Sequence, residues 1–380
     1  MSSPVRNVTL VGASGNVGAL ALEKLSASRH NVQVLRRTGS KSTLPPSVRV
    51  VDVDFASEEA LTRALRGQDV VIVALPGDAA ALQTTLADAA AAAGVRRFLP
   101  TEYGCNIENP RARRIPVFAD KVKIEDHLRA KVAAGSSLTY TFVYNGPFLD
   151  WGIQQQFLLD VAGYKPQLLD DGKAVFSSAN IDTLARAFVA IVDRLDETEN
   201  RAVFLEDIKI SQARLLELAR QAAPDRPWEV SYVKLDDAVR VAGEGLAKGD
   251  FAFHNIAPFL KQAFLAEGYG GNFEKSDNEL LGLGRSSEEF VLEQYKKLLQ
   301  VQYSCGCVKD SAFRQCEKRR ATPIKCDKVS REVPERVDNY CLSHCMPDKG
   351  RDLTRADFEA VRDSDSGQVM FKILKDTPRG

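Results

Sequence analysis

Val8-Thr-Leu-Val11-Gly12-Ala-Ser-Gly15-Asn-Val-Gly18-Ala-Leu-Ala-Leu22 decides the fold of this chain. A short apolar strand runs into three glycines spaced three apart, and a helical pattern follows from Val17 to about Ser26. A diphosphate needs backbone N–H groups at close range, and residues without Cβ let the chain come that near. Gly12 permits the tight turn, Gly15 the approach, and Gly18 the packing of helix on strand. Ser14, Asn16 and Val17 complete the predicted cradle. The spacing is G-x-x-G-x-x-G, one residue longer on its first side than the commoner dinucleotide loop.

Outward from this loop the pattern repeats. Further strands are predicted at residues 31–35, 48–53, 70–75, 97–100 and 138–143. Ser57 caps a helix with Leu61 and Leu65 on one face, and the alanine-rich residues 79–93 form another, closed by Gly94. Such alternation predicts an α/β fold, a Rossmann-type doubly wound parallel sheet. Residues 1–150 are expected to be the dinucleotide-binding domain and 151–300 a smaller α+β substrate-binding part. In the latter, residues 181–192, 211–222 and 286–299 read as helices.

The chain has 380 residues, 44% hydrophobic and 27% charged, with 51 basic and 51 acidic side chains. That balance is ordinary for a globular protein and disfavours a nucleic-acid partner that needs a basic field. No apolar stretch reaches the roughly 18 residues of a membrane helix, and no signal-peptide pattern opens the chain. A cytoplasmic protein without a membrane partner is expected. Of seven cysteines only Cys105 precedes residue 300. Residues 301–380 hold Cys305, Cys307, Cys316, Cys326, Cys341 and Cys345, a cysteine-rich extension of a different character. Disulfides would need an oxidising compartment, the spacing matches no zinc pair, and a poorly ordered or unrelated appendage is expected, with no metal.

Cofactor choice is legible after the second strand. An acid there would hold ribose hydroxyls; Arg36 and Arg37, helped by Lys41, suit the extra phosphate of NADP(H) instead. Lys121 is the second signal. Val117, Ile124, Leu128 and Val132 make an inward stripe on one helix, and Lys121 falls on it. An inward ammonium lines a pocket, snorkels out, or pairs with Glu125 one turn on. Lysine beside a nicotinamide ribose can hold its hydroxyls and steer a proton.

These features occur in one order with Phe98-Leu-Pro-Thr-Glu-Tyr-Gly104, Val117-Phe-Ala-Asp-Lys121 and Tyr140-Thr-Phe-Val-Tyr-Asn145. Together they resemble the isoflavone reductase-like branch of the NmrA-like family, atypical short-chain dehydrogenases/reductases that use NADPH. The resemblance covers about residues 5–300, and Phe148-Leu-Asp-Trp-Gly152 is similar to fungal members. It implies that Lys121 is the catalytic residue beside the nicotinamide. It also implies reduction of small aromatic or polyketide-like substrates in secondary metabolism. No Tyr-x-x-x-Lys occurs in the chain, so the usual tyrosine acid of short-chain dehydrogenases is missing. That departure also fits a non-catalytic NADP(H)-sensing regulator acting through a protein partner.

Ligands bind open α/β sheets beyond the carboxyl ends of the strands. Leu75, Pro76 and Tyr103 are therefore expected to border the cofactor, and Tyr144, Phe148, Trp151 and Phe157 to wall an apolar substrate pocket. Glu102 and Tyr103 are candidates to assist proton transfer. His127 is expected at the surface, and His254 away from the cleft. The expected partner is a small-molecule substrate; the sequence does not define an oligomeric state.

Overall fold

The computed structural model describes residues 5–299 and four short strands beyond them. β1 (Asn7–Val11), β2 (Asn31–Arg37), β3 (Arg49–Val53), β4 (Val70–Val73), β5 (Arg97–Leu99), β6 (Thr139–Tyr144) and β9 (Arg201–Phe204) form one seven-stranded sheet. Its order is β3-β2-β1-β4-β5-β6-β9, parallel throughout. This is the predicted Rossmann-type sheet, and the strand order reverses direction between β1 and β4. β4 is Val-Val-Ile-Val, fully buried, as a strand covered on both faces requires.

Helices α1 (Asn16–Ser26), α2 (Glu58–Leu65), α3 (Gln83–Ala92) and α4 (Ala119–Ala133) connect the first strands. Ser57 caps α2 by accepting from the Ala60 N–H at 3.2 Å, as its spacing predicts. The alanine-rich helix begins differently: Gly77–Leu82 is a tighter 3-10 turn, and the α-helix starts only at Gln83. The helix bearing Lys121 likewise opens with a 3-10 turn, Pro116–Phe118, because Pro116 fixes φ and offers no N–H.

Chain beyond residue 150 completes the same sheet. After α5 (Leu149–Gln154), β7 (Gln167–Leu169) and β8 (Val175–Ser178) comes α6 (Ile181–Asp193), which packs on α1. Leu184, Ala187, Phe188 and Ile191 of α6 join Val8, Leu10, Leu22 and Leu25 in one buried cluster. Burying each such side chain stabilises by about 1.5–3 kcal/mol, so α6 is part of the sheet's core. β10 (Ile208–Ser211) pairs antiparallel with β8, and β11 (Ser231–Val233) pairs parallel with β7. Helices α7 (Gln212–Ala222), α8 (Leu235–Ala247), α9 (Phe253–Leu265) and α10 (Glu288–Leu299) follow.

A second unit contributes two antiparallel pairs, β12 (Val301–Gln302) with β13 (Val308–Lys309) and β14 (Phe358–Arg362) with β15 (Val369–Ile373). The six cysteines of the extension lie outside the described residues. Among the described residues no helix is long and apolar enough to cross a membrane.

Candidate functional site

The glycines divide into two that the protein needs and one that it does not. A Cβ on Gly12, whose φ is +87°, would meet the Ala74 carbonyl oxygen at 2.3 Å. One on Gly18 would lie 1.9 Å from the Gly12 carbonyl oxygen. Both positions are closed by backbone, where nothing yields. At Gly15 the nearest atom is 3.8 Å away, ordinary contact, so the protein itself has room for a side chain there. That space lies at the N-terminus of α1, where Gly15 is the N-cap, no side chain caps the helix and no acid occupies its first turn. Unpartnered N–H groups and the positive helix end favour an anion, and Gly15 leaves it room to approach. Ser14, Gly15 and Asn16 are exposed, Val17 is half-buried.

Behind β2 the two arginines differ. Arg36 is engaged: Nε and Nη2 donate to the Asp52 carboxylate at 2.6 and 3.0 Å, and Nη1 donates to the Ser42 carbonyl at 2.9 Å. The Asp52 carboxylate, through its hydrogen bonds, holds the guanidinium above its ordinary range, and Arg36 draws Asp52 below the usual carboxylate range. Arg37 and Lys41 are exposed. Arg36 therefore fastens β2 to β3, and Arg37 is the arginine presented to solvent.

Two strand-end loops are laced together. Thr101 Oγ1 donates to the Val73 carbonyl at 2.9 Å and accepts from the Leu75 N–H at 3.1 Å. Tyr103 donates its hydroxyl to the same Val73 carbonyl at 2.7 Å. The phenol is thus a buried brace, held well above its ordinary pKa by burial. Leu75 is half-buried and Pro76 exposed at the edge of this lacing.

Lys121 reaches the same loop. Its Nζ donates to the Tyr103 carbonyl at 3.3 Å, and a Cβ on Gly104 would lie 3.8 Å from that Nζ. The stripe that singled it out holds at its centre: Ile124 and Leu128 are buried, Val117 and Val132 half-buried. Glu125 is not its partner. Fully buried, Glu125 accepts from Arg113 at 2.8 Å, Arg129 at 3.0 Å and the Tyr144 hydroxyl. Sequence reasoning saw Glu125 only as a possible mate for Lys121. The signal available was its place directly after Ile124 on the inward face.

Tyr144 is enclosed and committed to Glu125, so it faces α4. Phe148 packs against the cluster that contains Ala13 and Tyr103. Trp151 stands 6.0 Å from Phe157, and Phe157 6.0 Å from Phe253 and 5.9 Å from Phe264, centroid to centroid. Lys261 Nζ sits 5.4 Å from the Phe157 ring centroid, and burial lowers its pKa. The aromatic wall so formed includes α9, whose Phe253 is 54% exposed; periodicity near residue 151 gave no hint of that contribution. Leu260 of α9 adjoins Cys105, whose thiol burial pushes up to about 12. His127 is half-buried on Asp88 at 2.7 Å, and His254 is exposed beside Asp250.

Two described cavities of about 400 and 510 Å³ lie elsewhere. The first is lined by Lys24, Arg186 and Leu281, and the second by Arg6, Asn31 and Arg96 at the amino ends of the strands. Neither touches a predicted site residue. Among the described residues no cluster of histidine, cysteine or acid side chains is arranged to hold a metal.

A doubly wound sheet, an open glycine loop on α1 and a lysine at the carboxyl end of β5 define a dinucleotide-binding protein of the Rossmann class. The NmrA-like family model matches residues 4–211, and the chain belongs to that family. It is 33% identical over 283 residues to "Oxidoreductase aprR" of Aspergillus flavus, covering 73% of this chain and 94% of that protein. To "Oxidoreductase poxI" of Penicillium oxalicum it is 27% identical over 309 residues, covering 77% and 94%. Two solved structures share the fold. "AtPrR2 with NADP+ and (+)pinoresinol" superposes with a TM-score of 0.64 at 19% identity, covering 78% of this chain and all of that one. The leucoanthocyanidin reductase–NADPH complex from Vitis vinifera also gives 0.64, at 18% identity, covering 76% and 99%.

Proposed function

We propose that this protein is an NADPH-dependent reductase of small hydrophobic substrates, aromatic or polyketide-like, in secondary metabolism. The observation that carries the reading is the half-buried Lys121 amine at the Tyr103 carbonyl, at the end of the strand two places from the open glycine loop. The names of the fungal relatives, and the NADP+ and NADPH held by the structures of like fold, support it.

When bound, the reduced dinucleotide would supply a hydride to an electron-poor carbon. The chain's own groups do the rest. Amides at Gly12, Ser14, Gly15, Asn16, Val17 and Gly18 grip the diphosphate. Arg37 with Lys41 takes the adenosine phosphate, while Arg36 holds the strand pair beneath them. Leu75, Pro76 and Tyr103 would border the bound cofactor. Lys121 orients the ribose and gives up the proton that the product requires. Phe148, Trp151 and Phe157 exclude water from the acceptor; Tyr144 serves by fixing α4. The boundary near residue 150 is then a division of labour, cofactor on one side and acceptor on the other. We place the protein in the cytoplasm, acting on a small molecule and on neither nucleic acid nor membrane.

Lys121→Ala tests the reading. NADPH oxidation with a panel of aromatic enone and lignan-type acceptors is expected to vanish while calorimetric NADPH binding survives. Full turnover in that variant removes Lys121 from the mechanism. Dinucleotide binding without turnover on any acceptor by the unaltered protein would favour the rival reading, a redox sensor working through a protein partner.

A further inference from the structure

Glu102 lies three residues past the end of β5 and is 0% exposed, and neither carboxyl oxygen has a hydrogen-bond partner. Its own loop explains the position but not the residue type. The Glu102 N–H donates to the Pro100 carbonyl at 2.8 Å, and the next two residues present the Tyr103 carbonyl and Gly104 to Lys121. An ionised carboxylate only accepts, and burying one without donors is heavily penalised; a neutral carboxyl is tolerated far better. Glu125 makes the contrast. Equally buried, it has the donors that Glu102 lacks, in Arg113, Arg129 and Tyr144.

The titratable groups near enough to act electrostatically on Glu102 come from several elements. They are Lys121, Glu125 and Arg129 on α4, Arg113 from a separate 3-10 turn, Ala112–Arg114, Tyr144 on β6, and Tyr103 beside it. Burial raises the Glu102 pKa well above the ordinary carboxylate range, and Glu125 raises it further; among the charges opposing that rise Lys121 is the strongest. The carboxyl and the amine are thus electrostatically linked, and the carboxyl is the one shielded from solvent.

We propose, resting on the reductase reading, that Glu102 is a neutral carboxylic acid in the resting protein and holds the proton that recharges Lys121. When Lys121 gives its proton to the reduced product, a lysine N–H bond breaks and an O–H or C–H bond forms on the product. No hydrogen bond joins the two side chains, so the Glu102 O–H bond then breaks and its proton passes through one bridging water to re-form the lysine N–H bond, leaving a carboxylate near an ammonium. A proton from solvent restores the acid. Both electrons of the reduction come from the reduced nicotinamide dinucleotide, so no other reductant enters. Because it acts through Lys121, Glu102 is a positioning residue.

Two variants and two readouts test this. The infrared spectrum of the full chain at pH 7 should contain a protonated-carboxyl band that disappears in Glu102→Gln. In NADPH-oxidation assays E102Q should lose about tenfold or more in kcat with KM nearly unchanged, and show a larger solvent isotope effect. Glu102→Asp should recover much of the rate, since it restores an acid. Absence of the band overturns the proposal, and so does an E102Q protein turning over at the original rate. Should E102Q fail to fold, E102D decides: an acid band with no recovery of turnover sinks the relay. An unaltered protein that oxidises no NADPH on any acceptor would overturn the reductase reading itself and the relay with it. A live reductase with a fully active E102Q overturns the relay alone.

Discussion

Strand β5 has a buried charged residue at one end and a buried ionisable one just past the other, and they are treated in opposite ways. Arg97 opens the strand at 1% exposure with every arm of its guanidinium engaged. Nε donates to Thr139 at 2.6 Å, Nη1 to Thr141 at 2.8 Å and Thr198 at 3.1 Å, and Nη2 to the Leu195 carbonyl at 2.8 Å. Burial lowers its pKa only to about 10, so it stays charged at neutral pH. Glu102, three residues past the strand's end, has no partner at either oxygen. At the amino end of the sheet polar groups are buried to join strands. At the carboxyl end, where open α/β sheets in general receive their ligands, one is buried unsatisfied.

Substitutions that remove each polar group should therefore differ in sign. Arg97→Leu takes one donor each from the Thr139, Thr141 and Thr198 hydroxyls and the Leu195 carbonyl and unties four charge-assisted hydrogen bonds; a loss of about 3–5 kcal/mol in urea unfolding is expected. NADPH affinity of the folded fraction should be unchanged. Glu102→Leu removes a desolvated group and strands nothing, so stability should hold or rise by about 1–2 kcal/mol while turnover collapses. If both variants lose stability alike, the two ends of β5 are not different in kind.

The pH dependence sharpens the point. Glu102 is raised in the folded state, so the folded chain binds more protons than the unfolded one above the ordinary glutamate value of 4.5. Its contribution is fully present below that value and is lost as pH rises through the folded pKa. Unfolding free energy of the unaltered protein, relative to E102Q, should fall across that window by at most about 1.4 kcal/mol per pH unit. A flat difference across a pH series of urea melts would mean that Glu102 is ionised when folded.

The smallest effect concerns the paired and the open arginine behind β2. Arg37→Ser should weaken NADPH binding about tenfold and leave NADH nearly untouched, as expected for one lost charge-assisted contact. Arg36→Ser should shift that selectivity less, because its fork is already closed on Asp52. Calorimetry with both dinucleotides ranks them; the reverse order would make Arg36 the phosphate ligand.

Local patterns were readable where one stretch of chain supplies both the group and its reason. The strand–glycine–helix run, the Ser57 cap and the Lys121 stripe are of that kind. Arg36 was legible as a cation after β2 but not as a clamp, because Asp52 arrives from the next strand. Glu125 was visible on the inward face of its helix, yet its donors come from residue 113, one turn along α4 and β6. Phe253 reached the aromatic wall only because α9 folds back beside Phe157.

Periodicity and glycine spacing by themselves determined the parallel sheet, its open glycine loop and an inward lysine, since each follows from the geometry of a single segment. Only the tertiary structure decided which buried charges are satisfied. Hydrogen-bond partners of a buried group are set by strands and helices distant in sequence, and a carboxyl's protonation follows from the donors that the fold brings to it or withholds.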